Sequence, residues 1–199
     1  ETAALKRESF LRVAEILEHE SPKSPEVETA YRKTLEFCQG TDTCSYAHYR
    51  LAWFYRAKGD SELSKAIAEV KLSLFDSKGA IREEALRDWV TFVSQAGGDG
   101  QAAMTEFDEF ARAKGRPNLL DQLGAAYFSN GNRVAGIRIL TYTHARNPHL
   151  LSGLKLIEES LGQRDWPAID RLTNESATKL LGHAQTLTAS DRKEAENIL

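Results

Sequence analysis

The sequence predicts an all-helical protein made of antiparallel helical hairpins in series. Apolar residues recur at three- and four-residue spacing along almost the whole chain, and the strict alternation typical of a half-buried strand is absent. Ala, Leu, Glu, Lys and Arg are plentiful while β-branched runs are scarce, and this mixture favours helix over strand. The periodic stretches are separated by short turns, and helices joined by such short loops must be antiparallel neighbours.

The turns set the bounds of the individual helices. Ser24 and Pro25 mark a helix start, with Ser24 as N-cap and Pro25 at the first helical position. The glycine-rich turn at 97–100 mimics a dinucleotide-binding fingerprint, but no predicted strand precedes it, so we interpret it as an interhelical turn. Helices are expected over residues 2–20, 25–38, 45–58, 61–76, 80–96, 100–114, 117–129, 132–146, 149–161, 165–181 and 190–199.

The composition argues against several classes of function. A net charge of −3 gives no reason to expect the basic face that nucleic acid requires. No run of about 18 apolar residues is present to span a membrane. The five histidines are scattered, and nucleophile-elbow, zinc-protease and phosphate-loop motifs are absent. We therefore expect no catalytic activity, no cofactor and no metal site.

One stretch of the chain follows a repeat signature residue by residue. From Pro117 onward the spacing is that of the tetratricopeptide signature, with Leu120 in place of its Trp. Gly131 makes the turn between the two helices, and Pro148 closes the unit. The matching positions are Leu120, Leu123, Gly124, Tyr127, Gly136 and Leu140. The stretch resembles a tetratricopeptide repeat, and this resemblance implies a right-handed solenoid of stacked hairpins.

Weaker copies of the pattern lie upstream. Tyr55 leads to Gly59 by the same four-residue step that joins Tyr127 to Gly131. The second helix of this copy matches two residues late, which places an insertion in the turn at 60–63. The matching residues are Leu51, Ala52, Ala66 and Val70 in this copy, and Glu84, Val90, Gly98, Ala103 and Phe107 in a third, degenerate one. The turn glycines thus recur near the family's period of about 34 residues.

A narrower resemblance concerns residues 49–53 and 82–88, which read Tyr-Arg-Leu-Ala-Trp and Arg-Glu-Glu-Ala-Leu-Arg-Asp. These segments are similar to tetratricopeptide proteins of deltaproteobacteria linked to gliding motility and the cell envelope. The resemblance implies a periplasmic or envelope-associated location, with the cytoplasm as the alternative. It covers residues 45–148. Residues 1–44 are expected to form an N-terminal hairpin, a degenerate repeat or cap, and residues 149–199 degenerate or capping helices of a chain that continues past Leu199.

The two cysteines flank one predicted turn. Cys38 ends one predicted helix and Cys44 opens the next, with the turn formers Gly40 and Asp42 between them. Sulfurs on either side of so short a turn can meet, and a disulfide would place the protein in an oxidising compartment. The alternatives are two buried thiols, or a metal site that His48 would complete. We predict the disulfide.

The aromatic side of the predicted helix at 45–58 is the candidate partner-binding surface. Tyr46, Tyr49, Trp53 and Arg56 recur at three, four and three residues, so they share one side of the helix. The family resemblance implies that the first helix of each hairpin lines a concave groove, and Tyr, Trp and Arg are frequent interface anchors. The corresponding side of the later first helices carries Asp88, Phe92, Gln95, Asn118, Asp121 and Phe128. The alternative is that Tyr46 and Trp53 pack against the preceding hairpin.

These observations predict a non-catalytic scaffold that binds a peptide or a partner helix in a concave groove, in a bacterial envelope or motility complex. Tyr49 and Trp53 stand where the family's carboxylate clamp has its Lys and Asn, so binding of a chaperone tail is not expected. Two alternatives stay open. One is a self-assembling structural repeat whose groove binds another copy of the chain. The other is a regulatory module of an enzyme whose catalytic part lies outside this segment.

Overall fold

A computed structural model describes residues 2–38, 42–76, 79–146 and 150–182. Within these ranges the chain forms α-helices and one 3₁₀ turn at Asp60–Glu62, and it has no strand there. The helices are α1 Ala3–Glu20, α2 Pro25–Glu36, α3 Asp42–Lys58, α4 Leu63–Asp76, α5 Gly79–Ala96, α6 Gln101–Lys114, α7 Leu119–Ser129, α8 Arg133–Arg146, α9 Leu150–Gln163 and α10 Trp166–Gly182. The all-helical prediction is confirmed; the predicted helix at 190–199 and the closing Pro148 lie outside the described residues.

The helix ends follow the local chemistry that the sequence indicated. The Ser24 side chain accepts a hydrogen bond from the Glu26 amide, and Pro25 occupies the first helical position of α2. α6 ends at Gly115, whose φ of 63° is the left-handed conformation that glycine adopts at low cost. The insertion inferred after Gly59 forms the 3₁₀ turn that precedes α4. Turn chemistry therefore fixed most boundaries to within a few residues.

A boundary between Ala96 and Gly97 divides the chain into two compact units. The first unit contains α1 to α5 and the second contains α6 to α10. The third, degenerate repeat predicted from the sequence covers α5 of the first unit and α6 of the second, and it stays a prediction. The division into 1–44, 45–148 and 149–199 stays a prediction.

The core of the first unit lies between consecutive helices, with α1 packed on α2, α2 on α3, α3 on α4 and α4 on α5. The repeat positions Leu51, Ala52 and Tyr55 of α3 are buried, as are Ala66 and Val70 of α4. Because each of these helices buries surface against both its predecessor and its successor, each hairpin is stabilised by its neighbours.

In the second unit, two glycines let α7 and α8 approach closely. A Cβ atom added to Gly124 of α7 would lie 2.6 Å from Leu140 Cδ2, and one added to Gly136 of α8 would lie 2.6 Å from Phe128 Cδ2. Each helix therefore receives a large side chain of the other at a position where only glycine leaves room. This is the role that the repeat signature indicated for Gly124.

Cys38 and Cys44 are joined across the turn between α2 and α3, with Cα atoms 5.6 Å apart, as the sequence predicted. His48, the third ligand of the alternative metal site, donates from Nδ1 to Glu69 Oε2 at 2.7 Å. The geometry therefore favours the disulfide over that metal site.

We expect protein made in an oxidising compartment to resist alkylation at both cysteines until it is reduced. Replacing both with Ser should lower the free energy of unfolding by about 2 kcal/mol, because the disulfide closes a short loop in the unfolded chain. Intact mass after alkylation, with and without reductant, measures the first effect, and denaturant unfolding measures the second. Two thiols that alkylate without reductant would contradict the pairing.

Candidate binding surface

The structure brings together α3 and α5 side chains that the sequence placed on equivalent positions. Tyr49 pairs with Asp88, Trp53 with Phe92 and Arg56 with Gln95. Each pair joins one turn of α3 to the equivalent turn of α5. We call the partly exposed members, Tyr49, Trp53, Arg56, Asp88 and Gln95, the α3–α5 surface.

Asp88 anchors the two aromatic residues of this surface. Tyr49 Oη donates to Asp88 Oδ2 at 2.7 Å, and Trp53 Nε1 donates to the same oxygen at 3.0 Å. Tyr49 and Trp53 lie one helical turn apart on α3, so one carboxylate reaches both. Hydrogen bonds to a charged acceptor are about twice as strong as neutral ones, so the carboxylate holds both rings in place.

Trp53 is exposed above a buried ring. The Trp53 ring lies against the Phe92 ring, with the two ring centroids 5.5 Å apart in an edge-to-face arrangement. Phe92 is 2% exposed, whereas Trp53 keeps 41% of its surface accessible. Trp53 therefore offers a large, immobilised aromatic face, and Phe92 supports it from below.

Arg56 closes the end of the surface next to the Gly59 turn. Its Nε donates to Gln95 Oε1 at 3.1 Å, and its Nη1 lies 3.3 Å from Asp60 Oδ1. The two contacts hold the guanidinium between α5 and the 3₁₀ turn. Because this side chain remains partly accessible, it can offer charge-assisted hydrogen bonds beside the Trp53 ring.

Burial, and then the hydrogen bond to Asp88, raise the pKa of Tyr49 from 10.0 to about 12. The neutral phenol is thus favoured in the folded state, so the stability it supplies is complete below pH 10.0 and is lost as the pH rises towards about 12. We expect Tyr49→Phe to remove one phenolate from the upper part of the absorbance titration and to make the alkaline loss of stability shallower. A missing phenolate that titrates at the ordinary value would show that the contact with Asp88 does not persist in solution.

Tyr46 does not join the α3–α5 surface. It lies three residues before Tyr49 and interacts instead with Glu15 of α1 and Arg50 of α3. Burial is the main reason why its pKa is raised, and the hydrogen bond to Glu15 adds to it. The alternative considered from the sequence, packing against the preceding hairpin, therefore describes Tyr46 but not Trp53.

Two further predicted contact residues are buried, and a third is partly buried. Phe92 is buried beneath Trp53, and Asp121 of α7 is buried in the second unit. Phe128 packs against Gly136 and against the cluster of Leu140, Leu156 and Leu172. Residue spacing alone could not distinguish these covered positions from exposed ones. Asn118, at the N-cap of α7, is exposed, and a binding role for it stays a prediction.

Sequence reasoning missed the polar contacts that tie the first unit together. Arg50 of α3 forms an ion pair with Glu18 of α1 at 2.7 Å, and Tyr31 of α2 donates to the same carboxylate at 2.6 Å. Arg32 of α2 donates to Tyr55 Oη at 2.7 Å. These partners lie far apart in the chain, so no local spacing signals them. They fix the positions of the helices on which the α3–α5 surface stands.

His144 of α8 lies between a hydroxyl and a carboxylate in the second unit. Its Nδ1 is 3.3 Å from Ser152 Oγ, and its Nε2 is 3.1 Å from Glu175 Oε2. These are the residue types of a serine hydrolase, and the sequence spacing did not reveal them. Ser152 is 1% exposed, however, so its hydroxyl is not presented to a substrate. We interpret the group as a buried polar contact that joins α8 to α9 and α10.

Comparison of the chain with protein-family models, with curated proteins and with solved structures finds no match. In the part of the chain that the structure describes, the fold is all-helical, and Cys38 and Cys44 are joined. Over the described residues, no helix combines the length and apolar character needed to cross a membrane. Function is therefore inferred from the α3–α5 surface and from the repeat spacing.

Proposed function

We propose that this chain is a non-catalytic protein-binding module of the tetratricopeptide kind, which holds a peptide or a partner helix against the α3–α5 surface. The observation that carries the proposal is Trp53, an exposed aromatic ring fixed by Asp88 and supported by the buried Phe92. Large, rigid aromatic residues beside an arginine are the residue types that dominate binding energy in protein interfaces.

Several features support the repeat assignment. Tyr55 and Tyr127, at equivalent repeat positions, are both buried, and each hydroxyl reaches back to an earlier element of its own unit. Tyr55 contacts Arg32 of α2, and Tyr127 donates to the Gly97 carbonyl at 3.1 Å. Gly124 fills the place where the signature needs a small residue. The three equivalent pairs between α3 and α5 support a stack in which the first helices of successive hairpins are neighbours.

The surface suggests what its partner offers. The indole N–H and the phenol O–H are both engaged by Asp88, so a ligand meets the carbon faces of these rings. Arg56 lies beside them and favours acceptors such as main-chain carbonyls or carboxylates. The matching partner is an amphipathic segment with one apolar anchor residue followed by an acidic or carbonyl group.

The same proposal places the protein in a bacterial periplasm or envelope complex. The joined cysteines support an oxidising compartment, because cytosolic thiols are normally kept reduced. The resemblance of residues 45–148 to envelope and gliding-motility proteins supports the same location.

The test is the double variant Tyr49→Ala with Trp53→Ala. The wild-type chain, immobilised, is used to capture a partner from extracts of the source organism, and the identified partner is then titrated against each variant. We expect the double variant to lose roughly 2 kcal/mol or more of binding free energy, because both anchors are removed. Its melting temperature should fall much less than that of a variant that loses a fully buried aromatic side chain, since Trp53 is exposed and Tyr49 is only partly buried.

Trp166→Ala is the matched control, because Trp166 is an exposed tryptophan of the second unit, outside the α3–α5 surface. It should bind like the wild type. A double variant that remains folded and captures the partner at full strength would refute the proposed surface. If light scattering shows that the captured partner is a second copy of the chain, the self-assembling alternative replaces the scaffold.

A further inference from the structure

An open cleft of about 370 Å³ lies in the second unit, between the C-terminal half of α6, the start of α7 and the last turns of α8. Its apolar lining includes Ala111 of α6, Pro117 between α6 and α7, and Leu120 of α7. Asp108, Arg112, Tyr142 and Arg146 line the same cleft. A cleft of this volume suits a small organic molecule, since ligand sites begin at about 300 Å³.

The arginines of the cleft are held in a fixed arrangement by one carboxylate. Asp108 Oδ2 accepts hydrogen bonds from Tyr142 Oη at 2.6 Å and from Arg146 Nη1 at 3.2 Å. Arg112 Nη2 donates to the same oxygen, and its Nε donates to Asp108 Oδ1 at 3.2 Å. The Arg146 guanidinium also lies 4.8 Å from the centroid of the Tyr142 ring. The two guanidinium groups therefore converge without needing a ligand to order them.

The positive charge of this cluster faces solvent while the negative charge does not. The Asp108 side chain is 16% exposed, whereas those of Arg112 and Arg146 are 61% and 52% exposed. Arg116 also lines the cleft, so three arginines against one carboxylate leave a net positive charge there, and each guanidinium has five N–H donors to share among several acceptors.

We propose that this cleft binds a small monocarboxylate with a branched or aromatic body. The carboxylate lies against Arg112 and Arg146, and the apolar body occupies the cleft over Ala111 and Leu120. Asp108 acts as a positioning residue that keeps both arginines at the rim. This site lies on α6 to α8 and is independent of the α3–α5 surface.

The experiment is an NMR titration of the full chain with phenylacetate and with 4-methylpentanoate, followed at assigned backbone amides. Phenylacetamide, which is neutral, and inorganic phosphate, which has no apolar body, are the comparison probes. We expect saturable shifts centred on Leu120 and Tyr142 with both carboxylates, and much weaker shifts with both comparison probes. If phenylacetamide caused shifts equal to those of phenylacetate, the site would recognise shape without charge. If phosphate did so, the site would recognise charge without an apolar body. Either result would overturn the proposal.

The variant Arg112→Gln with Arg146→Gln should weaken carboxylate binding about tenfold or more, since charge-assisted hydrogen bonds are lost. Arg138→Gln is the matched control, because Arg138 is a half-exposed arginine of α8 that pairs with Asp99 and does not line the cleft. It should bind like the wild type. If the double variant melts early, the single variants Arg112→Gln and Arg146→Gln decide the matter, and unchanged affinity in both would refute the site.

Discussion

Gly124→Leu is expected to lower the melting temperature of the second unit more than any change on the α3–α5 surface. A Cβ atom at this position would lie 2.6 Å from Leu140 Cδ2 and 2.7 Å from Leu140 Cγ. Leu140 is 1% exposed and packs with Leu156 and Leu172, so it cannot move aside. Overpacking of this kind typically costs about 1–3 kcal/mol, and a whole leucine side chain should reach the upper end of that range.

Gly162→Ala is the control for this change. Gly162 also lies in a helix of the second unit, but a Cβ there would meet only the Arg133 Nη2 atom at 3.9 Å. Alanine in an open helical position should be neutral or stabilising, by about 0.5–1 kcal/mol. Thermal unfolding followed by circular dichroism compares the two variants. A Gly124→Leu protein that melts like the wild type would mean that α7 and α8 do not pack as described.

Trp89→Ala is expected to destabilise the first unit by about 3–5 kcal/mol, the usual cost of removing a fully buried aromatic side chain. Trp89 of α5 is 1% exposed and is among the largest fully buried side chains of the chain as described. Trp89 directly follows Asp88 in the sequence. Asp88 belongs to the α3–α5 surface, whereas Trp89 belongs to the core.

Trp53→Ala is the paired comparison, because it removes the same kind of side chain from an exposed position on α3. We expect this variant to lose much less stability than Trp89→Ala in denaturant unfolding. Fluorescence gives a second readout: loss of Trp89 should remove the emission of a buried indole, and loss of Trp53 that of a partly exposed one. Equal destabilisation by the two changes would contradict the assignment of Trp53 to the surface.

The sequence predicted the elements and their register because both depend on local information. Helices follow the spacing of apolar residues, and turns follow from Gly59, Gly115 and Gly131, whose positive φ angles glycine tolerates. The register between repeats also follows from spacing: Tyr49 and Arg56 each contact the residue 39 positions later, Asp88 and Gln95. The repeat spacing placed these residues on corresponding sides of α3 and α5, and the structure shows contacts between them.

Burial could not be predicted in the same way, because it depends on which neighbouring helix covers a residue. Phe92 and Trp53 are both aromatic and occupy equivalent positions, yet Phe92 is covered and Trp53 is not. The contacts of Glu18 with Arg50, and of His144 with Glu175, join residues on separate helices more than 30 positions apart. Only the packed structure brings such partners together. The cleft beside Arg112 and Arg146 likewise could not be predicted from the sequence, because residues of three helices line it.

Asp88 has a further consequence for the thermodynamics of recognition. Since its carboxylate already accepts from Tyr49 and Trp53, a partner that covers these rings does not break a hydrogen bond from the Tyr49 hydroxyl or the Trp53 indole N–H to water. The two polar donors are thus already removed from water in the free protein. A partner that covers the rings adds apolar contact at these positions. Association over the rings then carries the negative heat-capacity change of apolar burial, and the dependence of binding on ionic strength comes from Arg56 beside them. At these two positions, tyrosine and tryptophan therefore contribute to binding mainly through the apolar surface of their rings.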